Sequence, residues 1–595
     1  VTTSIEFNRR QALLGILGGW LAGCGPFQDG MALGQDVGPA DRSPPSVSRK
    51  LTPSGTAEGR EVAAATVHPL ATRAAMQAFD RGGNAFDAAV AAAFMLGVVD
   101  GHNSGIGGGC FILARAASGQ LIAIDGRETA PARAHRDMFI RDGQPDPLAS
   151  QFGPLASGVP GQVAALANLS LRHGRGDWSA GLLAAAEVAN EGFELGSGVA
   201  AAIERKASQL AKFPASAATF LGPRGEPRAA GEIFRQPDLG QTLTSLAAEG
   251  PDWLYRGPFA ERCDRWMAEH GGLLTRADFA SYTAKSREPL VTPYRDWQVV
   301  GFPPPSSGGI HVAQMLLMLE SFPIGKLYRE APATAVHLLA EVMKRAFADR
   351  AHWLGDADFA SVPKGLIDRA YCQRLAASIN LERASQVLSH GNPPRAEDDL
   401  FSDRHTTHLA TADAAGNWVA ITNTVNTSFG SCVVIPGTGV VMNNEMDDFS
   451  IAPGTPNAFG LIGAEANSVQ PGKRPLSSMS PTIVLDAAGN PRLSCGAAGG
   501  PRIINATLQC VVRMLDAGAT VGEALAAPRV HHQWSPDELM MEAEWDPTIV
   551  RAVQQRGHVL AKPGDIAIAQ AIEMTAAGLL RAAADPRAKG SAAAR

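Results

Sequence analysis

The sequence predicts an α+β protein built from antiparallel sheets packed against helices. Two observations carry that expectation. Strand-like runs come in pairs joined by short turns: THLATAD with WVAITNTVN across Ala414-Ala415-Gly416-Asn417, and FILARA with LIAIDG around Ser118-Gly119. Connections this short join antiparallel neighbours, because a parallel pair needs a crossover of roughly a dozen residues or more. Helical segments are interleaved with these hairpins, among them the small-residue run DAAVAAAFMLGVV (87–99). Another, HVAQMLLMLES, follows the rigid turn Pro303-Pro304-Pro305-Ser306-Ser307-Gly308-Gly309. No internal repeat is visible.

In chain order, the front end reads as an export signal. Arg9-Arg10 precede ALLGILGGWLAG, a run shorter than the roughly 20 apolar residues of a membrane-spanning helix. FNRRQALLG resembles a twin-arginine signal. Leu21-Ala22-Gly23-Cys24 resembles a bacterial lipobox, which implies Cys24 as a lipid attachment point; a plain signal with an incidental cysteine is the other reading. Residues 1–24 are therefore assigned to the signal. Residues 25–60, rich in Pro, Gly, Ser and Asp, are assigned to a flexible tether. Globular patterning begins at Glu61.

The composition closes off several function classes. Across 595 residues, 45% are hydrophobic and 18% charged, which describes a globular chain long enough to bury a large core. A formal charge of −6 leaves no basic footprint for nucleic acid. Seven cysteines show no CxxC or regular spacing, and Cys110 and Cys510 sit in apolar runs, so buried free thiols fit better than disulfides. His405, His408, His531 and His532 lack the further ligands of a zinc site.

Several local patterns invite chemistry. Gly105 to Gly109 precede a buried strand, the reverse of the strand–glycine–helix order that cradles phosphate. Arg127 stands at a strand exit, where it is either solvated or placed to fork onto a carboxylate. Residues 453–464 (PGTPNAFGLIGA) form a Pro/Gly-rich loop of the kind that covers a site. Gly499-Gly500 end a strand, either as a tight turn or as two N–H groups aimed at one oxygen. The stretch from His405 to Ser450 gathers most of the reactive residue types. Its hairpin places Thr424 beside Thr406-Thr407, and the stretch closes on Glu445, Asp447 and Asp448. Alone, it reads either as an edge hairpin with polar decoration or as a threonine nucleophile at a strand end.

Read together, GGNAFDAAVAAA, SGIGGGCFIL, DGRETAPARA, PPPSSGGIHVAQML, EVMKRAFADR, TTHLATAD, NTVNTSFGS, NNEMDDFS, KRPLSSMSPTIV, GAAGGPRI and RVHHQWSPDEL resemble the gamma-glutamyltransferase (glutathione hydrolase) family of N-terminal-nucleophile hydrolases. With SGVPG and ADPR they cover nearly everything from about residue 61 to 590 in the family's order. The resemblance implies a four-layer αββα sandwich and an inactive precursor that cuts itself between His405 and Thr406. The products would be a large chain, 61–405, and a small chain, 406–595, forming a heterodimer. Thr406 would be the nucleophile and its freed α-amine the base, with Thr424 hydrogen-bonded to it and Gly499 and Gly500 as oxyanion donors. Arg127, Ser477 and Ser478 would hold a substrate α-carboxylate; Asn426, Glu445 and Asp448 its α-ammonium. Donors would be glutathione or other γ-glutamyl amides, acceptors water, amino acids or dipeptides, with no cofactor. An acylase acting on glutaryl amides is the same-fold alternative, and an exported binding protein that never matures is a third. Departures from the family pattern are Gly126, Glu445, Phe459 and the loop GAAGG.

Overall fold

The computed structural model describes residues 55–394, 407–452 and 454–595. Fourteen strands make its two main sheets. The first seven are β1 Thr56–Gly59, β2 Val62–Thr66, β3 Gly109–Arg115, β4 Leu121–Gly126, β5 Lys285–Arg287, β6 Leu290–Tyr294 and β7 Trp297–Gly301. The others are β8 His408–Asp413, β9 Trp418–Thr424, β10 Thr482–Leu485, β11 Pro491–Ala498, β12 Ile568–Met574, β13 Leu580–Ala584 and β14 Ser591–Ala594. One sheet runs β14-β2-β8-β9-β3-β4-β5 and the other β1-β13-β12-β11-β10-β7-β6, with every pairing antiparallel.

Alternation along the strands builds the layers. In β3, Phe111 and Leu113 face the second sheet while Ile112 faces helices; in β7, Val300 faces inward while Val299 faces helices. The inter-sheet core holds Ala410, Ala412, Trp418, Met479, Ile483 and Ile572, and Phe111 stacks on Phe302 across it at 4.1 Å between ring centroids. Period-2 patterning of this kind requires both faces of each sheet to be covered. Helices α1 Pro69–Asp80, α2 Ala85–Val99, α3 Gln162–His173, α4 Trp178–Glu191 and α5 Ser197–Leu210 cover the first sheet. Helices α6 Ser307–Leu319, α7 Pro332–Trp353 and α8 Arg502–Leu515 cover the second. The result is the αββα sandwich.

The hairpin of β8 and β9 is not at an edge. β2 and β3 flank it, and every residue of both arms is buried, which removes the edge-hairpin reading. Gly416, at φ 92°, makes the turn, and Asp413 Oδ1 accepts the Asn417 N–H at 3.0 Å. The tether assignment fails at its end: Thr56–Gly59 pairs with β13, Thr56 opposite Ala583. Its sequence, TAEG, is half exposed and carries no apolar period, so only backbone pairing reveals the strand. The alanine-rich α2 is buried along almost its whole length and starts at a capping box between Asn84 and Asp87, as its small residues demand. The six cysteines among the described residues are buried and free, in keeping with the expectation. No helix among the described residues is long and apolar enough to cross a membrane.

The stacked phenylalanines generate a test of the layer arrangement. Phe302→Ala empties a fully buried site, and we expect a loss of about 3–5 kcal/mol in chemical denaturation; a loss under ~1 kcal/mol would contradict the inter-sheet packing.

Candidate active site

The hairpin delivers the first groups. Its register runs from Ala412 opposite Trp418 to His408 opposite Thr422, and the Asn423 N–H donates to the Thr407 carbonyl. His405 and Thr406, the predicted cleavage pair, lie outside the described residues, as does Cys24. Thr424 is fully buried, and its Oγ1 accepts the Asn426 N–H at 2.7 Å. Asn426 sits at φ 76°, in the left-handed region that asparagine tolerates best after glycine. Its Nδ2 donates to the Asn444 carbonyl at 2.9 Å, and its buried Oδ1 has no partner among the described residues.

Glycines let the surrounding backbone close on this point. A Cβ on Gly108 would strike the Thr424 carbonyl oxygen, and one on Gly107 would strike that of Val441. The run that resembles a phosphate loop therefore serves as a close-packing surface behind Thr424. Gly499 and Gly500, at φ 142° and 59°, follow β11 and lead into α8. Together with Asn426, Thr427, Phe459, Arg502 and Gln533 they line an open cleft of about 590 Å³.

Beside this cleft lies an ion cluster out of water. Arg127 is fully buried, its Nη1 bonded to Glu445 Oε1 and, at 3.2 Å, to Glu128 Oε2; its Nη2 donates to Asp448 Oδ2 at 2.9 Å. Its Nε has no partner among the described residues. The backbone that carries it is held as firmly. The Arg127 N–H donates to Asp125 Oδ1 at 3.0 Å, and its carbonyl accepts from Tyr282 at 2.6 Å and Arg474 at 3.2 Å. Gly126 precedes it because the chain passes close to α3, where a Cβ would collide with Ala165. One guanidinium faces three carboxylates here. Burial pushes the Glu445 carboxyl well up, against the pull of Arg127, with Glu128 and Asp448 adding to the rise. Burial likewise raises Glu128, to about 7, with Arg127 opposing.

The remaining predicted residues fall into two places. The Ser477 carbonyl accepts the Ser307 N–H at 3.0 Å, which docks the serine segment on the start of α6. Ser478 Oγ accepts from Arg350 Nη2 at 3.5 Å, and Arg350, Asp448, Asn457 and Leu476 line a hollow of about 10 Å³, roughly one water in size. The hollow links the serines to the acidic side of the ion cluster. Arg350 went unassigned in the sequence, although it ends the motif EVMKRAFADR; its location on α7 gave no sign of what it would face. Asn457 and Gln533 were missed likewise. Asn457 Nδ2 donates to Asp448 Oδ1 at 3.1 Å and Gln533 Nε2 to the Phe459 carbonyl at 3.3 Å, so the middle of the Phe459 loop is tied at two points. At Gly500 any Cβ would run into the Phe459 ring.

Among the described residues one trio has metal-ligand chemistry, His337, Glu341 and His558, whose ligand atoms lie within 4.8 Å of one another. The i, i+4 spacing of the first two on α7 went unnoticed in the sequence. Its donors are spent on protein partners. His337 shares a 2.7 Å hydrogen bond with His558 and another with the Asn380 carbonyl, and Glu341 accepts from Arg345 at 2.8 Å. His408 is buried against Thr422, and burial lowers it to about 3, so it is a neutral structural histidine.

The ion cluster makes two quantitative expectations. Arg127→Met strands three buried carboxylates, so we expect a loss of about 3–5 kcal/mol, and Glu445→Gln a smaller one, in denaturation at pH 7. A raised carboxyl favours the folded state below its unfolded value of 4.5 and loses that contribution as pH rises through about 7. Glu128→Gln should therefore gain stability relative to the unsubstituted protein between pH 4.5 and 7, read as melting temperature against pH. A pH-independent difference would contradict it.

Comparison with known proteins gives this geometry a family. A sequence model described as Gamma-glutamyltranspeptidase matches residues 71–595. The chain is 40% identical over 525 residues to the glutathione hydrolase proenzyme of Escherichia coli K12, covering 88% of this chain and 90% of that protein. It is 37% identical over 547 residues to the acylase ACY 1 proenzyme of Pseudomonas sp. SE83, covering 90% and 94%. The crystal structure of cephalosporin acylase from Bacillus halodurans superposes with a TM-score of 0.81 at 27% identity, covering 93% of this chain and 99% of that one. The chain belongs to the gamma-glutamyltranspeptidase family.

Proposed function

We propose that this protein is a self-processing γ-glutamyltransferase and glutathione hydrolase. One observation carries the choice of substrate: a buried cluster of one guanidinium and three carboxylates, beside a cleft lined by Asn426 and the twin glycines. Such a cluster is short of positive charge, and an α-ammonium supplies it. Asn426 Oδ1, buried and without a partner among the described residues, is a further acceptor for that ammonium. The α-carboxylate of the same head group would lie on the Arg127 Nε–H and the Ser477 and Ser478 hydroxyls. A glutamyl residue in ordinary peptide linkage lacks the free charges and leaves these groups unmatched.

In this reading the precursor breaks between His405 and Thr406, giving chains 61–405 and 406–595 that stay together as a heterodimer. A threonine hydroxyl is a weak nucleophile without a base, and the new α-amine, with a reference pKa near ~7.7–8.0, provides one. Thr406 Oγ attacks the γ-carbonyl and its proton passes to that amine. The Gly499 and Gly500 N–H groups steady the oxyanion. The C–N bond then breaks, and the leaving amine takes the proton. Water or a second amine attacks the γ-glutamyl ester in turn, and Oγ–H is restored. Thr424, one hydrogen bond from Asn426, positions the nucleophile. The twin-arginine run supports an exported enzyme of the periplasm or cell envelope, with Cys24 as its lipid anchor if the lipobox is used.

The acylase reading is favoured by the names of two relatives, but a glutaryl side chain has no ammonium to offset the carboxylates. We expect turnover of γ-glutamyl-4-nitroanilide to exceed that of glutaryl-4-nitroanilide by at least ~100-fold in kcat/KM; equal rates would favour the acylase. Thr406→Ala should remain a single chain by mass spectrometry and lose roughly 10³-fold or more of its activity. An active, uncut variant would remove Thr406 from its role.

A further inference from the structure

Three residues that line the cleft are cationic. Arg205 and Lys206 project from α5, and Arg502 stands at the start of α8 directly after the twin glycines and Pro501. Among the described residues no aspartate or glutamate lines the cleft with them. Among the described residues none of the three lies within ion-pair distance of a carboxylate, in a chain whose acids outnumber its basic residues, 58 to 52. Arg502 Nη1 donates only to a neutral backbone acceptor, the Asp565 carbonyl, at 3.1 Å. The charges are felt locally: behind the effect of burial, Arg205 helps to lower the His102 imidazole to about 4, and Arg502 helps to lower His531 to about 3.

Exposed arginines and lysines on a protein surface are usually interspersed with acids. Three on one cleft with no acid among the lining residues concentrate positive potential there and raise the local concentration of anions. The glutamyl head is accounted for by the buried cluster. The side that remains is the one through which the amine departs and through which an accepting amine must arrive, since both bond to the same carbonyl carbon.

We propose that Arg205 and Lys206, with Arg502 behind them, select amines that carry a carboxylate away from the reacting nitrogen. The inference rests on the γ-glutamyl reading above and deepens it. The substrates it names are γ-glutamyl peptides with a free C-terminal or side-chain carboxylate on the leaving portion. By the same chemistry, peptides with a free C-terminus are better acceptors than their amides. Arg205 and Lys206 act on binding, so their contribution falls on KM rather than kcat and weakens as salt screens the attraction.

The test compares two donors that differ by one carboxylate, γ-glutamyl-4-nitroanilide and γ-glutamyl-(3-carboxy-4-nitroanilide), on the mature two-chain enzyme. We expect kcat/KM to favour the carboxylated anilide by roughly three- to tenfold at low salt, the range of two or three exposed ion pairs. The preference should shrink toward unity in about 0.5 M sodium chloride. In the double variant Arg205→Gln/Lys206→Gln the ratio of the two donors should fall toward one through KM of the carboxylated donor. Because both donors are read on one preparation, a loss of folded enzyme cancels from the ratio. A second arm compares glycylglycine with glycylglycine amide as acceptor, where the same variant should erase the advantage of the free carboxylate. Equal use of both anilides by the unsubstituted enzyme, or a ratio unmoved by the double variant, overturns the inference while leaving γ-glutamyl transfer intact. Failure to turn over either anilide removes the functional reading on which it stands.

Discussion

A guanidinium enclosed by three carboxylates, all of them away from water, is the constraint around which the site is arranged. Charges in such a place are tolerated only with close partners and a rigid frame, because each unmatched ion costs several kcal/mol. The frame is visible in the backbone of Arg127, which is held by Asp125, Tyr282 and Arg474 at once. Arg474 comes from the segment just before Ser477 and Ser478, and Asp448 is tied to the Phe459 loop through Asn457. One ion cluster thus ties together β4, the carboxylate turn, the serine segment and the loop over the cleft.

The sheets bring that cluster to the reactive end of the hairpin. β9 lies between β8 and β3, and β3 leads across a short turn into β4 and Arg127. The glycines at 107 and 108 allow the loop before β3 to press against the carbonyls of Thr424 and Val441, where a side chain would force the layers apart. Gly499 and Gly500 do the same at the end of β11, where a Cβ would meet Ala567 or the Phe459 ring. Close packing and polar chemistry are obtained from the same residues.

Kinship with an acylase and with glutathione hydrolases shows that the sandwich by itself does not select an acyl group. Selection lies in charge. In the proposed function, a surplus of buried carboxylate calls for a cationic group on the acyl side, and cleft-lining cations with no carboxylate in reach among the described residues call for an anionic one on the amine side.

The sequence by itself determined the hairpins, the small-residue helix, the free buried cysteines, and the residue types of the site. These follow from short-range rules: turn residues between β-branched runs, glycines where chains approach, and an absence of metal or phosphate spacing around the threonines. Only the tertiary structure decided that the hairpin lies at the centre of a sheet, that TAEG at 56–59 is a strand, and that Arg350, Asn457 and Gln533 face the site. It also decided that both Nη groups of Arg127 are paired within the protein, with Glu128, Glu445 and Asp448, and that Arg205 and Lys206 share a cleft with Gly500. The reason is distance along the chain. Glu445 lies 318 residues from Arg127, and no local pattern announces a partner that only folding brings within hydrogen-bond reach.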